Sequence, residues 1–312
     1  MTLFALIAAL LIEQARPLAS GNRVHAGFRR YVTWLERQLN AAQHRHGAIA
    51  WCAAVLPGVI VAACVYAYLH SMSVLLAWAW NVGLLYLTLG FRQFSHAYTS
   101  IVEALHASDF DRARAALSGW RGRSAQEFDA SELARAAIER GLVDSHRHVF
   151  GVMFWAVLSG LLGLGTAGAL AYRQAALLGE EWGARTDEDF GEFGAFSAHA
   201  FAWMDWLPAR LTAASFAVVG DFEDAVYCWR AQAAKWPQRE QGIILASGAG
   251  AIGVRLGEAL HEVGGVELRP ALGTGDEADV ESMRSTVGLI WRAVLLWLAL
   301  ILLMTLANWF GH

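Results

Sequence analysis

Two long runs without a single charged side chain constrain this chain more than anything else in it. Residues 48–69 and 72–91 are separated only by His70-Ser71. Each matches the ~20 apolar residues that a helix needs to cross a hydrocarbon layer. Together they predict a tight antiparallel hairpin of membrane helices, with Asn81 the strongly polar interruption. A third run, 149–172, has a Gly-rich middle (Gly160, Gly163, Gly165, Gly168), which predicts one span approached closely by neighbours. A fourth, 286–310, carries only Arg292 near its start, where the side chain can snorkel.

Two segments are less regular. Residues 2–12 are apolar over about half a span, so they predict a short or re-entrant helix. With no basic n-region and no clear cleavage site they do not read as a signal peptide. Residues 201–219 are long enough but hold Asp205 and Arg210. Charge at mid-bilayer is expensive, which predicts a paired or functional site there. Pro208, between them, is expected to break the helix and free backbone groups. A structural Asp–Arg pair and a fork for phosphate or carboxylate are equal readings of this segment.

Composition supports a lipid environment. Charged residues make up 17% of the chain and apolar residues 56%, against roughly 25% charged in a soluble domain. A net charge of -4 offers no field for a polyanion, so nucleic acid is not an expected partner. Lys235 is the only lysine, which leaves little room for Schiff-base chemistry, and Cys52, Cys64 and Cys228 make no disulfide framework.

The fold class expected is all-α: a polytopic helical membrane protein of about five to six spans, a single domain over 1–312. Its soluble segments are 13–47, 92–148 and 220–285. These three regions carry six, eight and five arginines, whereas 173–200 holds two against six acids (Glu180, Glu181, Asp187, Glu188, Asp189, Glu192). By the excess of cations on cytoplasmic loops, the three basic regions are expected inside a bacterial inner membrane and the loop 173–200 in the periplasm. Within the soluble segments, Asp129 or Ser131 caps a helix through Glu139, and further helices are expected near 109–119, 221–235 and 248–263.

Gly248-Ala249-Gly250-Ala251-Ile252-Gly253 fits a dinucleotide fingerprint by letter, but no βαβ series surrounds it. Helix packing by small residues is the stronger reading. His44-x-His46 and His146-x-His148 lack partners at ligand spacing and read as interfacial, solvated histidines.

Taken in order, several segments resemble the CobD/CbiB family. The carrying residues are Gly122-Arg123, Asp129, Ala134-Arg135-Ala136-Ala137-x-Glu139, Phe154-Trp155, Ala171-Tyr172-Arg173, Trp206-Leu207-Pro208-Ala209-Arg210-Leu211-Thr212, Gly253-Val254-Arg255-Leu256-Gly257, Gly264-Gly265 and Arg269-Pro270-x-Leu272-Gly273. The resemblance implies cobalamin biosynthesis: an ATP-dependent ligation, assisted by Mg²⁺, of a cobyric acid carboxylate to the amine of aminopropanol phosphate. It implies a corrinoid precursor as ligand, with Arg123, Arg173, Arg210 and Arg255 holding phosphate or carboxylate groups. Asp129, Glu139 and Asp144 are the remaining acids for Mg²⁺.

The polar site departs from the family pattern. Arg-Asp-Thr of the family appears as Arg123-Ser124-Ala125, and the Asn before Trp-Leu-Pro is Asp205. Met1-Thr2-Leu3-Phe4, His96-Ala97-Tyr98 and Asp205-Trp206-x-Pro208-x-Arg210-Leu211 also resemble AmpE-type inner-membrane proteins. That resemblance implies a non-catalytic sensor or scaffold, with neither ATP nor metal. Both readings have the lipid bilayer as partner and leave the oligomeric state open.

Overall fold

A computed structural model describes residues 2–16, 23–185, 187 and 190–310. Glu188 and Asp189 of the acidic loop, and 17–22 of the first basic segment, lie outside the described residues. The helices are α1 (Thr2–Ala15), α2 (Arg23–Leu39), α3 (His44–Met72), α4 (Val74–Thr88), α5 (Phe91–His106), α6 (Phe110–Arg121), α7 (Ala130–Ser145), α8 (Gly151–Leu161), α9 (Ala167–Glu181), α10 (Ala195–Val219), α11 (Phe222–Gln232), α12 (Arg239–Ile252) and α13 (Val280–Phe310). One π-helical segment, His146–Phe150, joins α7 to α8. The fold is all-α apart from a two-stranded hairpin, β1 (Leu260–Glu262) with β2 (Gly265–Glu267).

The chain forms two compact units, each discontinuous in sequence: 1–90 with 147–206, and 91–146 with 207–312. Helices α3 and α13 are long and apolar enough to cross a membrane. The 29 residues of α3 extend about 43 Å. Helix α4 follows after the single residue Ser73, whose hydroxyl accepts from the Leu75 amide at 3.3 Å, so the expected hairpin forms.

The third apolar run is not one helix. It divides into α8 and α9 around a turn at 162–166, where Gly163 and Gly165 take left-handed φ of 76° and 59°. Hydropathy alone cannot reveal such a reversal. Asn81, buried in α4, stabilises it from outside: its Oδ1 accepts from both the amide and the hydroxyl of Thr166 at 3.1 Å. Two other glycines of the run do permit close approach. A Cβ on Gly160 would meet the Thr2 hydroxyl, and one on Gly168 the Trp155 carbonyl.

With α9 returning along α3, the segments 23–47 and 173–194 meet at one end of the first unit. Arg185 pairs with Glu36 at 2.6 Å and Arg29 with Glu181 at 3.4 Å, and the Glu192 amide donates to the Ala42 carbonyl at 3.1 Å. The two segments, expected on opposite sides, are in contact.

Helix α10 runs unbroken through Pro208, contrary to the expected break. The missing N–H strands the carbonyl of Met204 four residues earlier, and the Trp155 indole donates to that oxygen at 3.2 Å. Pro57 in α3 is accommodated in the same way. The carbonyl it strands, that of Ala53, accepts from the Tyr31 hydroxyl at 3.0 Å.

The second unit is built around α7 and α12, both buried over most of their length. The Gly-x-Gly of α12 serves helix crossing. A Cβ on Gly248 would strike the Leu142 side chain, and one on Gly250 the Asp224 carbonyl of α11. The expected helix 248–263 stops at Ile252, because Gly253 adopts φ 68° and caps α12. Residues 253–279 then form a loop carrying the β1–β2 hairpin.

Candidate functional site

Helix α7 is the anomaly of the second unit. It is buried on nearly every side, yet Glu132, Arg135, Glu139 and Asp144 lie within it. Buried charges persist only when paired and hydrogen-bonded. Glu132, Arg135 and Glu139 recur at i, i+3 and i+7, which puts them on one helix face. The loop after α12 runs along that face in the reverse direction and pairs with each in turn.

At the first rung, Asp129 caps α7: its carboxylate accepts from the Glu132 amide at 2.8 Å, and Glu132 reaches back to the Asp129 amide at 3.0 Å. The other Glu132 oxygen accepts from the His261 amide at 3.1 Å and meets its ring Nδ1 at 2.7 Å. Burial alone would raise the Glu132 carboxyl, but the Asp129 amide and the His261 contacts outweigh it and hold the group below the ordinary range. At the second rung, Arg135 donates to the Glu258 carboxylate at 2.9 Å and to the Ala259 carbonyl at 2.7 Å.

At the third rung, Glu139 takes a two-pronged bond from Arg269, at 2.6 and 3.2 Å, and a further bond from the Gly257 amide at 2.8 Å. Arg269 also donates to the carbonyls of Glu258 and Gly257 at 3.1 and 2.9 Å. Glycine is required at position 257: φ is 73°, and a Cβ would collide with the Pro270 carbonyl. The seam thus gathers Arg135, Glu139, Gly257 and Arg269 from stretches far apart in the chain.

The three acids proposed for Mg²⁺ do not converge. Asp129 is a helix cap. Glu139 lies ten residues along α7, about 15 Å by helical rise, and is engaged by Arg269 and Gly257. Asp144 accepts from the Trp120 indole and from Arg140, each at 3.0 Å. These residues do not fit a shared divalent cation with its short oxygen ligand distances. Among the described residues no group of three or more His, Cys, Asp or Glu is arranged to hold a metal ion.

The four arginines fall in different settings. Arg123 is exposed after α6, and Arg255 is exposed in the turn after α12, 3.7 Å from Glu277. Arg210 is half-buried in the part of α10 belonging to the second unit. Arg173 belongs to the first unit, where its guanidinium lies 3.5 Å from the Arg147 carbonyl.

That first unit has its own buried acid. Asp205 accepts from the Tyr172 hydroxyl at 2.7 Å, and the Tyr172 ring packs directly against Gly151, where a Cβ would overlap it. Nearby, Arg147 pairs with Glu180 at 2.6 Å and stacks over Phe201 at 5.4 Å. In the second unit, His146, expected to be solvated, is fully buried, with Nδ1 2.9 Å from the Thr212 hydroxyl. The seam residues Glu132, Arg135, His261 and Arg269 were not singled out as a site by sequence. The available signal was charge recurring at i, i+3, i+7 in a segment of Ala, Leu and Ile.

A helical fold with two membrane-length apolar helices among the described residues, and a buried charged seam within its second unit, is the class that the geometry defines. The family model described as CobD/Cbib protein matches residues 2–290, and the chain belongs to that family. It is 33% identical to Cobalamin biosynthesis protein CobD of Stutzerimonas stutzeri over 304 residues, 96% of each chain. It is 36% identical to the protein of the same name from Chromobacterium violaceum, covering 70% of this chain and 68% of that one. A Mycobacterium tuberculosis relative, again so named, is 28% identical over 64% of this chain and 63% of its own. No solved structure matches the chain.

Proposed function

We propose that this chain is a membrane-embedded ligase of cobalamin biosynthesis, joining adenosylcobyric acid to aminopropanol phosphate. The observation that carries this is the full-length similarity to the Stutzerimonas stutzeri protein. It is supported by the meeting of the family-like Arg135, Glu139, Gly257 and Arg269 in one seam. In this reaction an amide C–N bond forms, and the carboxylate oxygen leaves on phosphate as ATP is cleaved to ADP.

The residues suited to the substrates' phosphate and carboxylate groups are Arg123, Arg173, Arg210 and Arg255, of which Arg123 and Arg255 are exposed. The family resemblance implies Mg²⁺, but Asp129, Glu139 and Asp144 are not a fit for it, because they are spread along α7 rather than turned to one point. Helices α3 and α4 are read as inner-membrane spans of the first unit, α13 as a span of the second, and α8–α9 as a re-entrant pair. Orientation follows cation number rather than net charge. The joined segments 23–47 and 173–194 are therefore assigned to the cytoplasmic side.

The engagement of all three acids also favours a second reading, an AmpE-like scaffold without nucleotide chemistry. Expression in a strain lacking the family ligase separates the two. Growth on cobyric acid supports the ligase, and failure by a well-expressed chain supports the scaffold.

A further inference from the structure

In the second unit, the loop after α12 holds Arg255 by its backbone. Residues 270–276 wrap 253–257. Leu256 and Leu272 exchange amide-to-carbonyl bonds at 2.8 and 2.9 Å, and the Arg255 amide donates to the Asp276 carbonyl at 2.8 Å. Val254 and Leu256, on either side of it, are buried, while Arg255 itself is exposed. Glu277, 3.7 Å from its guanidinium, is 70% exposed, and so solvated a pair holds the group weakly. Arg255 therefore combines a fixed backbone with a side chain open to an anion.

The wrap is closed from α11. The half-buried Gln232 pairs with one residue in both directions: its Nε2 donates to the Gly273 carbonyl at 3.2 Å, and the Gly273 amide donates to its Oε1 at 2.6 Å. Cys228, four residues earlier on the same helix face, has its Sγ 4.0 Å from the Thr274 hydroxyl. Gly273, at φ 87°, packs so closely on the Val254 carbonyl that a Cβ would overlap it. That carbonyl belongs to the peptide bond leading into Arg255. A shift of Gly273 thus reaches Arg255 through one contact and one peptide link. A side-chain amide supplies both the donor and the acceptor of the Gly273 pairing, whereas a carboxylate lacks the donor.

We propose that Gln232 is a positioning residue for Arg255: by clamping Gly273 it fixes the segment from which Arg255 reaches a phosphate or carboxylate group of the substrates. The inference rests on the ligase reading and on the part of Arg255 in it. The test uses the full chain reconstituted in lipid, with adenosylcobyric acid, aminopropanol phosphate and ATP varied in turn and product followed by mass. Arg255→Gln should raise the KM of the substrate that Arg255 holds. Gln232→Glu should raise the same KM and no other, about fivefold, as loss of one net hydrogen bond does, with kcat little changed. The double variant should be no worse than Arg255→Gln alone, because Gln232 acts through Arg255. A residue that only stabilised the fold would add its own loss. Hydrogen exchange reads the clamp without the reaction: the amides of 254–256 should exchange faster in Gln232→Glu, and those of α7 should not. Gln232→Met, which keeps the length and lacks both bonds, should behave alike and serves if Gln232→Glu does not fold. An unchanged KM in both Gln232 variants, additive losses in the double variant, or unchanged exchange at 254–256 overturns the proposal. A wild type that makes no product, while exchange at 254–256 still quickens in Gln232→Glu, overturns the ligase reading and leaves the clamp standing, so the two failures are distinct.

Discussion

The Trp155 indole donates to the carbonyl of Met204, the oxygen that Pro208 leaves without a helical partner. Replacing Trp155 with Phe should therefore cost about 1–3 kcal/mol, the usual range for an unsatisfied buried acceptor. Pro208→Ala restores an N–H to the helix, so Trp155→Phe should cost less in that background. A double-mutant cycle by thermal unfolding in detergent reads the difference, and equal costs in both backgrounds would contradict this role for Trp155.

Breaking the Glu139–Arg269 pair should be among the most damaging changes in the second unit. Both side chains are nearly buried, at 10% and 12% exposed. Loss of one partner from such a pair costs about 3–5 kcal/mol. Arg269→Ala and Glu139→Ala should each fall near that range, and the double variant well below their sum. Arg269→Lys should rescue little, because one ammonium cannot reproduce the fork to Glu139 and the carbonyls of Gly257 and Glu258. Denaturant unfolding provides the check.

The Glu132 carboxyl is held below its ordinary value of 4.5. A depressed carboxyl contributes stability that is fully present above its unfolded value and lost as pH falls through its folded value. The stability gap between wild type and Glu132→Gln should thus narrow as the solution is acidified below about 4.5. A gap that widens below that pH would refute the sign.

Gly151→Ala should push the Tyr172 ring away from Asp205 and destabilise the first unit by about 1–3 kcal/mol, as overpacking does. Gly151→Val, which adds two further methyl groups, should cost more. The order of the two melting temperatures checks both statements at once.

Cysteines introduced at Gly27 and Glu192, in a Cys64→Ala background, should label from the same side of sealed vesicles with an impermeant maleimide. Labelling from opposite sides would break the association that Arg185 and Glu36 indicate.

The legible parts of the fold were those whose signal is local. The uncharged runs of α3 and α4 gave a hairpin, and Asp129 gave a helix start. The reversal inside 149–172 was hidden because its stabilising acceptor, Asn81, is 85 residues away from Thr166. Its glycines served turning as well as packing. The helix expected over 248–263 ended early because Gly253 caps it in a left-handed conformation. The seam was hidden for the same reason as the reversal. Glu139 and Arg269 are 130 residues apart, so Glu139 reads as a metal ligand and Arg269 only as part of a family motif, and only the fold turns them toward each other.

The central claim is ligation, and product mass tests it most directly. The purified chain in lipid, supplied with adenosylcobyric acid, aminopropanol phosphate, ATP and Mg²⁺, should form adenosylcobinamide phosphate with release of ADP, and Arg255→Ala should slow its formation. A folded, lipid-reconstituted wild type that yields neither product would contradict the claim.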